Sequence, residues 1–325
     1  MFNLKYYYIL LKIFFSYKRK KNTLRYFPIR FWIELASPCN LKCVMCPNKD
    51  LPLEDQGYMD MELFKKIVDE ISPFSFDVSL IHRGESFLHP QLIDMIEYAK
   101  SKRLFTKIHT NGTLLDKKKS YKIIKSGLDR LSFSFDGYDK KTYEKIRVGA
   151  DFDMVIENIR DFLKMKKGLG SKNPYTVIEL IEFPNMDREE IKEKRKNLIK
   201  NFKGLPLDEV ITKKIHNWAG YLHINKKDKN YSPCPFPWNA LIVFWDGSVF
   251  PCTQDFFGEY KLGNARWESL GNIWNNEKII NLRKKLMNKE YKDISICSKC
   301  DRLWRDKLLG VPKEYLFEFI MRRMP

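Results

Sequence analysis

The alternation of short strand-like runs with amphipathic helical runs most constrains the fold of this chain. Six strand-like runs occur between residues 30 and 215, at 30–35, 75–82, 105–110, 129–135, 176–181 and 209–215. The helical runs between them are 60–71, 90–100, 116–127, 139–166 and 188–202. A strand and a helix about every 30 residues are typical of a parallel sheet with crossover helices. The alternation predicts an α/β fold, a partial (β/α)6 parallel barrel.

Polar residues gather where the predicted strands end, which is where parallel barrels place their chemistry. Strand four alternates apolar side chains with Ser132, Ser134 and Asp136. Because the side chains of a strand alternate between faces, these three share one face. We interpret that face as the lumen of the barrel and expect it to line a ligand site.

The sequence changes character after residue 216. The remainder contains four of the seven cysteines and six of the seven tryptophans. It also predicts a hairpin over 241–252, with its turn at Asp246-Gly247. We therefore predict four parts, listed by residue: a basic amphipathic helix over 1–29, the barrel over 30–216, a separate Cys-rich metal-binding domain over 217–308, and a C-terminal helix over 309–325.

The net charge of +18 predicts an anionic partner. Eight basic and no acidic residues occur before position 34, and Lys5, Lys12 and Arg19 follow one another at intervals of seven. Such a helix is typical of proteins that bind an anionic membrane surface. The same periodicity is expected if the helix packs on the protein itself. No apolar run reaches the about 18 residues that span a membrane. The basic runs match no nucleic-acid-binding motif, so no nucleic-acid partner is expected.

The cysteines cluster, which indicates metal binding in a reducing cytoplasm. Cys39, Cys43 and Cys46 form Cys-x3-Cys-x2-Cys between a strand and a helix. No fourth Cys or His lies nearby to close a zinc site, whereas three thiolates suit a [4Fe-4S] cluster with one open iron. This motif, with Asn40 after its first cysteine, resembles the radical S-adenosylmethionine superfamily. The resemblance implies that the open iron binds S-adenosylmethionine, and that a flavodoxin- or ferredoxin-type donor supplies the electron.

The resemblance extends along the predicted barrel. Arg83-Gly84-Glu85-Ser86 stands where the superfamily has Gly-Gly-Glu-Pro, and Thr110-Asn111-Gly112 and Ser134-Phe135-Asp136-Gly137 follow the next two strands. The resemblance implies a set of cofactor-binding residues: Met45, Gly84, Glu85, Asn111, Ser134, Asp136 and Arg147. Two positions depart from the family pattern, since Met45 replaces an aromatic residue and Ser86 replaces a proline.

The second group of cysteines comprises Cys234, Cys252, Cys297 and Cys300. The first two flank the predicted hairpin turn, and the segment resembles the SPASM and twitch domains that carry auxiliary iron–sulfur clusters. The resemblance implies one auxiliary [4Fe-4S] cluster with four thiolates. A structural zinc held by the same four thiolates is the alternative.

The superfamily resemblance implies cleavage of S-adenosylmethionine to a 5′-deoxyadenosyl radical, which takes a hydrogen atom from the substrate. With three cysteines in one set and four in the other, none remains to return a hydrogen atom, which disfavours a thiol-dependent sugar epimerase. We expect the oxidation of a secondary alcohol on a sugar, aminocyclitol or lipid-linked glycan, with the auxiliary cluster as electron acceptor. A peptide-modifying maturase is a second hypothesis, and a non-catalytic iron–sulfur or zinc scaffold is a third.

Acid–base chemistry needs a titratable group near the substrate. The sequence offers four candidates at the ends of strands five and six: Glu182, Lys213, Lys214 and His216. The other histidines, His82, His89, His109 and His223, are expected to be ordinary structural side chains.

Overall fold

The computed structural model describes residues 4–183, 188–224, 230–308 and 311–313. Six parallel strands follow one another in chain order as neighbours in one sheet. They are β1 (Arg30–Ile33), β2 (Asp77–Ser79), β3 (Phe105–Thr110), β4 (Arg130–Ser134), β5 (Tyr175–Glu182) and β6 (Glu209–Lys214). The predicted partial barrel is confirmed.

The helices lie between these strands, as predicted. After the N-terminal helix α1 (Leu4–Lys18) they are α2 (Met61–Ile71), α3 (Leu92–Ser101), α4 (Lys117–Lys125), α5 (Lys140–Ile146), α6 (Phe152–Gly168) and α7 (Arg188–Lys200). The predicted helical region 139–166 is two helices, because Gly149 adopts a φ of 97° and Asp151 caps the start of α6. The starts of α2, α4 and α5 are fixed in the same way by Asp60, Asp116 and Asp139.

The two faces of β4 separate the core from the lumen. The ring of Phe133 packs edge-on against Phe162 of α6, with 5.9 Å between ring centres, and both rings are buried. Ser132 and Ser134 therefore lie on the opposite face, away from the helices. The two serines of the predicted polar face thus point into the lumen, while Asp136 lies beyond the end of β4.

The predicted hairpin is present, but its sheet is not separate from the barrel. It consists of β7 (Ala240–Val243) and β8 (Ser248–Phe250), which are antiparallel, and β9 (Gly263–Asn264) pairs with β8. β7 pairs in parallel with β1, so the nine strands form one sheet. Every residue of β7 is buried. The hairpin of the C-terminal part therefore covers β1, which would otherwise be an exposed edge strand of the barrel sheet.

Short helices complete the C-terminal part. They are α8 (Phe236–Asn239), α9 (Leu270–Trp274), α10 (Glu277–Met287) and α11 (Ser295–Ser298). Of the predicted C-terminal helix 309–325, only 311–313 are described, and Val311–Pro312 pair as a short strand with Lys307–Leu308. The remaining residues of that prediction lie outside the described part. Among the described helices, none has the length and apolar character needed to cross a membrane.

Candidate active site

The first cysteine motif lies on a loop after β1 that contacts two other segments. The backbone N–H groups on either side of Cys43 donate to the carbonyls of Ile146, the last residue of α5, and of Val148 just after it, at 2.9 Å each. Asn48 donates from its side-chain amide to the carbonyls of Ser37 (2.8 Å) and Arg83 (3.1 Å). These bonds place the loop against the segment that follows β2.

That segment carries Gly84 and Glu85. A side chain at Gly84 has no space, since a Cβ there would lie 2.3 Å from the carbonyl oxygen of Pro38. The Glu85 carboxylate is buried and accepts hydrogen bonds from the hydroxyl of Thr110 (2.9 Å) and the backbone N–H of Asn111 (2.8 Å). A third bond comes from the N–H two residues after Glu85, at 3.0 Å. A carboxylate has about four acceptor positions, so Glu85 keeps capacity for one further donor.

Arg147 connects the cysteine loop to the end of β4. Its guanidinium forms an ion pair with Asp136, and Nη1 lies 3.9 Å from Sγ of Cys43. Burial alone would lower the pKa of Arg147, but the charge of Asp136 raises it above its ordinary value, so the guanidinium stays charged. Nε of Arg147 is buried and has no hydrogen-bond partner among the described residues.

Of the predicted S-adenosylmethionine contacts, Gly84, Asn111 and Arg147 contact the cysteine loop. Asn111 donates from Nδ2 to Oδ1 of Asn40 on that loop, at 2.9 Å. Met45, which directly precedes Cys46 in the sequence, is buried. Ser134 pairs in register with Glu179 on the neighbouring strand. The amino acid part of S-adenosylmethionine fits these residues. Arg147 offers a charged N–H donor to its carboxylate, and Glu85 offers an acceptor to its ammonium group.

The three thiols of this loop suit a cluster. Burial raises the pKa of Cys39 to about 11 and of Cys46 to about 12, and burial also raises that of Cys43 against the opposing charge of Arg147. Metal binding displaces such protons, so cluster assembly is expected to release protons and to weaken in acid.

A buried carboxylate in the lumen was not predicted from the sequence. Glu179 lies on the lumen face of β5, where Lys213 donates to it at 2.6 Å and Nδ1 of His109 lies 3.4 Å away. Burial alone would raise the pKa of Glu179, but His109 and Lys213 together lower it far below its usual range. The lumen therefore holds a charged carboxylate between a histidine and a lysine.

Two predicted acid–base candidates lie on the other side of the sheet. Glu182 shares its strand face with Ile178, which pairs with Phe133 on the face that packs against the helices. Lys214 pairs with Glu182 and shares that face. Of the predicted candidates on these two strands, Lys213 therefore faces the lumen beside Glu179, whereas Glu182 and Lys214 lie on the helix side of the sheet.

His216, the fourth candidate, lies close to the second group of cysteines. Its Nδ1 lies 3.5 Å from the carboxylate of Asp301, the residue after Cys300. The neighbouring Asn217 donates to the carbonyl of Lys299 at 2.7 Å. The segment after β6 is thereby bound to the Cys-x2-Cys loop, and His216 lies at this loop with Asp301.

The four cysteines of the second group are all buried. A hydrogen bond with Cys252 lowers the pKa of Cys234 below its ordinary value, while burial raises that of Cys300 to about 12. Backbone N–H groups donate to Sγ of Cys252 (3.3 Å) and of Cys300 (3.4 Å). Such N–H···S bonds are among the interactions that tune iron–sulfur clusters.

Four buried thiols of this kind can hold either a structural zinc ion or a [4Fe-4S] cluster.

The sequence carries a signal that could have identified Glu179. Glu179 interrupts the apolar run TVIELI, and Glu34 likewise interrupts RFWIEL. A charged residue inside an otherwise apolar strand is expected to have a partner or a function. His109, expected to be structural, contacts Glu179 in the lumen.

Comparisons with known proteins match the segments that carry both groups of cysteines. Residues 33–200 match the model of the radical SAM superfamily, and residues 234–301 match that of the SPASM iron–sulfur cluster-binding domain. The tungsten-containing aldehyde ferredoxin oxidoreductase cofactor-modifying protein of Pyrococcus furiosus is 26% identical over 83% of this chain and 87% of its own length. The S-adenosyl-L-methionine-dependent 2-deoxy-scyllo-inosamine dehydrogenase of Niallia circulans is 22% identical over 83% and 92%.

A solved structure has the same fold. BtrN in complex with AdoMet and 2-DOIA superposes with a TM-score of 0.58 at 21% identity, covering 85% of this chain and 94% of BtrN. The superfamily match covers more than half of the chain, and its cysteines are those whose loop is described above. The chain therefore belongs to the radical S-adenosylmethionine superfamily, as an enzyme with a [4Fe-4S] cluster, S-adenosylmethionine and an auxiliary iron–sulfur cluster in a C-terminal SPASM domain.

Proposed function

We propose that this enzyme oxidises a secondary alcohol of a sugar, an aminocyclitol or a lipid-linked glycan to a carbonyl. The observation that carries the proposal is the polar group of His109, Glu179 and Lys213 in the lumen. A neutral hydroxylated substrate suits such a lumen, because its hydroxyls pair with both donors and acceptors. The 2-deoxy-scyllo-inosamine dehydrogenase is similar over most of its length, which supports the same reaction class.

When bound, S-adenosylmethionine with the first cluster would supply the hydrogen-atom abstraction, and the auxiliary cluster would accept an electron. A flavodoxin- or ferredoxin-type protein is the proposed electron donor. The residues that hold S-adenosylmethionine are proposed to be Glu85, Asn111 and Arg147, joined by Met45, Gly84, Ser134 and Asp136. The cytoplasm, where thiols stay reduced, is the proposed location, with lipid-linked substrate reached at a membrane surface.

The chain's own part in the oxidation is to remove the hydroxyl proton. Nδ1 of His109 lies 3.4 Å from Glu179, so the carboxylate favours the tautomer that carries its proton on Nδ1. Nε2 then accepts the hydroxyl proton as the carbonyl forms. For each substrate, one hydrogen atom leaves from carbon, one proton leaves to His109, and one electron leaves to the acceptor. Lys213 holds Glu179 in place, at 2.6 Å.

The experiment compares neighbouring residues on opposite faces of the same strands. Glu179→Gln and Lys213→Met are matched by Glu182→Gln and Lys214→Met, and His109→Gln removes the base. Each anaerobically reconstituted enzyme receives reductant, S-adenosylmethionine and 2-deoxy-scyllo-inosamine or UDP-N-acetylglucosamine, and 5′-deoxyadenosine and carbonyl product are measured by mass spectrometry. We expect His109→Gln to lower product formation by about 100-fold or more, as the loss of a general base does.

The two matched pairs give the sharper result. Glu179→Gln and Lys213→Met should lower product formation while 5′-deoxyadenosine formation continues, and the variants of the other face should behave as wild type. Equal loss in both pairs would contradict the assignment. Solvent deuterium on the substrate carbon without oxidation would indicate an epimerase, and a mass change confined to a co-expressed peptide would indicate a maturase. A protein that cleaves no S-adenosylmethionine would be a scaffold.

A further inference from the structure

The N-terminal helix α1 has one face that packs on the protein. Leu10, Ile13 and Tyr17 are buried there. The Tyr17 ring lies edge-on to Trp238, with 5.4 Å between centres, and its hydroxyl donates to the carbonyl of Pro233 at 2.7 Å. Pro233 directly precedes Cys234, so α1 is anchored beside the auxiliary cysteines. The alternative that this helix packs on the protein is thus correct for this face.

The opposite face of α1 is apolar and exposed. Leu4, Tyr8, Leu11 and Phe15 are 82%, 57%, 54% and 49% exposed. Their spacing of four, three and four residues places them in one stripe of the helix, which we call the α1 stripe. A contiguous exposed apolar stripe marks an interaction surface more often than scattered apolar residues do.

Positive charge borders the α1 stripe. Nζ of Lys12 lies 4.4 Å from the ring centre of Tyr8, and the Arg19 guanidinium lies 5.5 Å from that of Phe15. The first acidic residue of the sequence is Glu34. A partner of the α1 stripe must therefore combine an apolar interior with a negative surface.

A cavity of about 570 Å³ opens beside the stripe. Its lining contains three cations and three hydroxyl groups and no acid: Lys12, Ser16, Lys21, Thr23, Arg25 and Tyr26. The indole of Trp238 donates to the carbonyl of Lys21 at 2.9 Å, and the Tyr26 hydroxyl donates to the carbonyl of Trp238 at 3.0 Å, so two parts of the wall are fixed. Lys12, Lys21 and Arg25 form no ion pair with any residue in the described part of the chain.

We propose that α1 docks the enzyme on an anionic phospholipid bilayer, with the α1 stripe among the acyl chains and a lipid phosphate in the cavity. Phosphate is the anion that lysine, arginine and hydroxyl donors bind together most readily. Lys12 contacts Tyr8 of the stripe and also lines the cavity, so a lipid can satisfy both at once. A free phosphate would leave the stripe in water, whereas a phospholipid covers it with acyl chains. The inference rests on the membrane partner of the proposed function, and it names the site.

The test is sedimentation of the full-length, cluster-loaded protein with vesicles, without turnover. The vesicles are phosphatidylcholine alone, or phosphatidylcholine with 30% phosphatidylglycerol. Lys12→Ala/Arg25→Ala tests the cavity, and Lys117→Ala/Lys118→Ala, two exposed cations of α4, is its charge-matched control. Leu11→Ser/Phe15→Ser tests the stripe, and Leu53→Ser/Leu169→Ser, which are 82% and 41% exposed in the wild type, is its control.

We expect wild type to bind the anionic vesicles and to be released by salt. Loss of two cations should weaken binding about 30-fold, equivalent to about 1 kcal/mol for each cation near an anionic surface. The stripe variant should bind the anionic vesicles at least about tenfold more weakly, because the wild-type Leu11 and Phe15 side chains enter the acyl region. Both controls should bind within about threefold of wild type. Equal binding to both vesicle types, or either test variant binding like its control, would overturn the proposal. Since no substrate is used, a failed oxidation assay leaves this result unaffected.

Discussion

Glu34 and Arg83 form an ion pair inside the barrel, next to the S-adenosylmethionine segment. Nε and Nη2 of Arg83 donate to the two carboxylate oxygens at 2.6 Å and 2.8 Å, and the guanidinium stacks 3.8 Å from the ring centre of Phe244. Arg83 stands where the superfamily motif begins with glycine. The pair therefore connects β1 and the β7 hairpin to the segment that carries Glu85.

We predict that Arg83→Met destabilises the protein by about 3–5 kcal/mol, because it leaves a buried carboxylate without its partner. The Glu34→Leu/Arg83→Met double variant removes both charges and should recover most of that loss. The measurement is the free energy of unfolding from anaerobic urea titrations followed by fluorescence. If the double variant is as unstable as the single one, the packing of Arg83 on Phe244 and not its charge would be the cause.

The pH dependence of stability has a definite sign here. Burial alone would raise the pKa of Glu34, but Arg83 and His82 hold it below its ordinary value. A depressed carboxyl pKa contributes stability above the unfolded-state value of about 4.3, and this contribution is lost as the pH falls through the folded-state value. At neutral pH the wild-type protein should therefore keep the full contribution of Glu34 to its free energy of unfolding. In Arg83→Met the pKa should rise, so that mild acid relieves part of the defect.

At the scale of elements, the cysteine loop and the segment after β2 approach each other too closely for a side chain. A Cβ on Gly84 would lie 2.3 Å from one backbone oxygen and 2.4 Å from another, and backbone atoms cannot rotate away. The two segments must separate if Gly84 is replaced. Glu85 would then move relative to the cysteines.

Gly84→Ala is expected to weaken S-adenosylmethionine binding at least about tenfold, because contacts held to within about 0.5 Å are displaced. Gly168→Ala is the matched control. Gly168 is the last residue of α6, and no atom outside its own stretch of helix lies within 4 Å of the position that a Cβ would take. That control should leave binding unchanged and raise stability by about 0.5–1 kcal/mol. Calorimetric titration with S-adenosylmethionine measures the first effect, and urea unfolding the second. Wild-type affinity in Gly84→Ala would contradict the close approach.

For the whole molecule, one sheet joins the superfamily barrel to the hairpin between Cys234 and Cys252. β7 continues the sheet from β1, while Asn217, just after β6, bonds to the Cys-x2-Cys loop. The second cysteine group is therefore connected to both edges of the six-stranded barrel. We expect the two cysteine groups to bind their clusters independently, because each is complete in its own segment, but to act in the same reaction.

We predict about eight irons in the anaerobically reconstituted protein, from two [4Fe-4S] clusters. Cys297→Ala/Cys300→Ala should retain about four irons and keep some 5′-deoxyadenosine formation, but lose substrate oxidation. Replacing Cys39, Cys43 and Cys46 by alanine should abolish 5′-deoxyadenosine formation. Metal analysis measures the iron and zinc content, and mass spectrometry measures 5′-deoxyadenosine and the oxidised product. Four irons with one zinc would show that the second group is structural, and retained cleavage in the triple variant would contradict the radical cluster.

The sequence by itself determined the βα alternation and the cysteine loop, because periodicity and motif spacing are local properties of the chain. The interval of three between Glu179 and Glu182 already placed them on opposite faces of β5, yet each face carries one glutamate among apolar residues, so the sequence does not distinguish the two faces. Only the pairing with β4, whose Phe133 packs on α6, decided that Glu179 faces the lumen. In the same way, the periodicity of α1 could not distinguish its buried face from its exposed stripe. That difference arises from contact with Trp238, which lies more than 200 residues away in the chain, and such long-range contacts leave no local pattern.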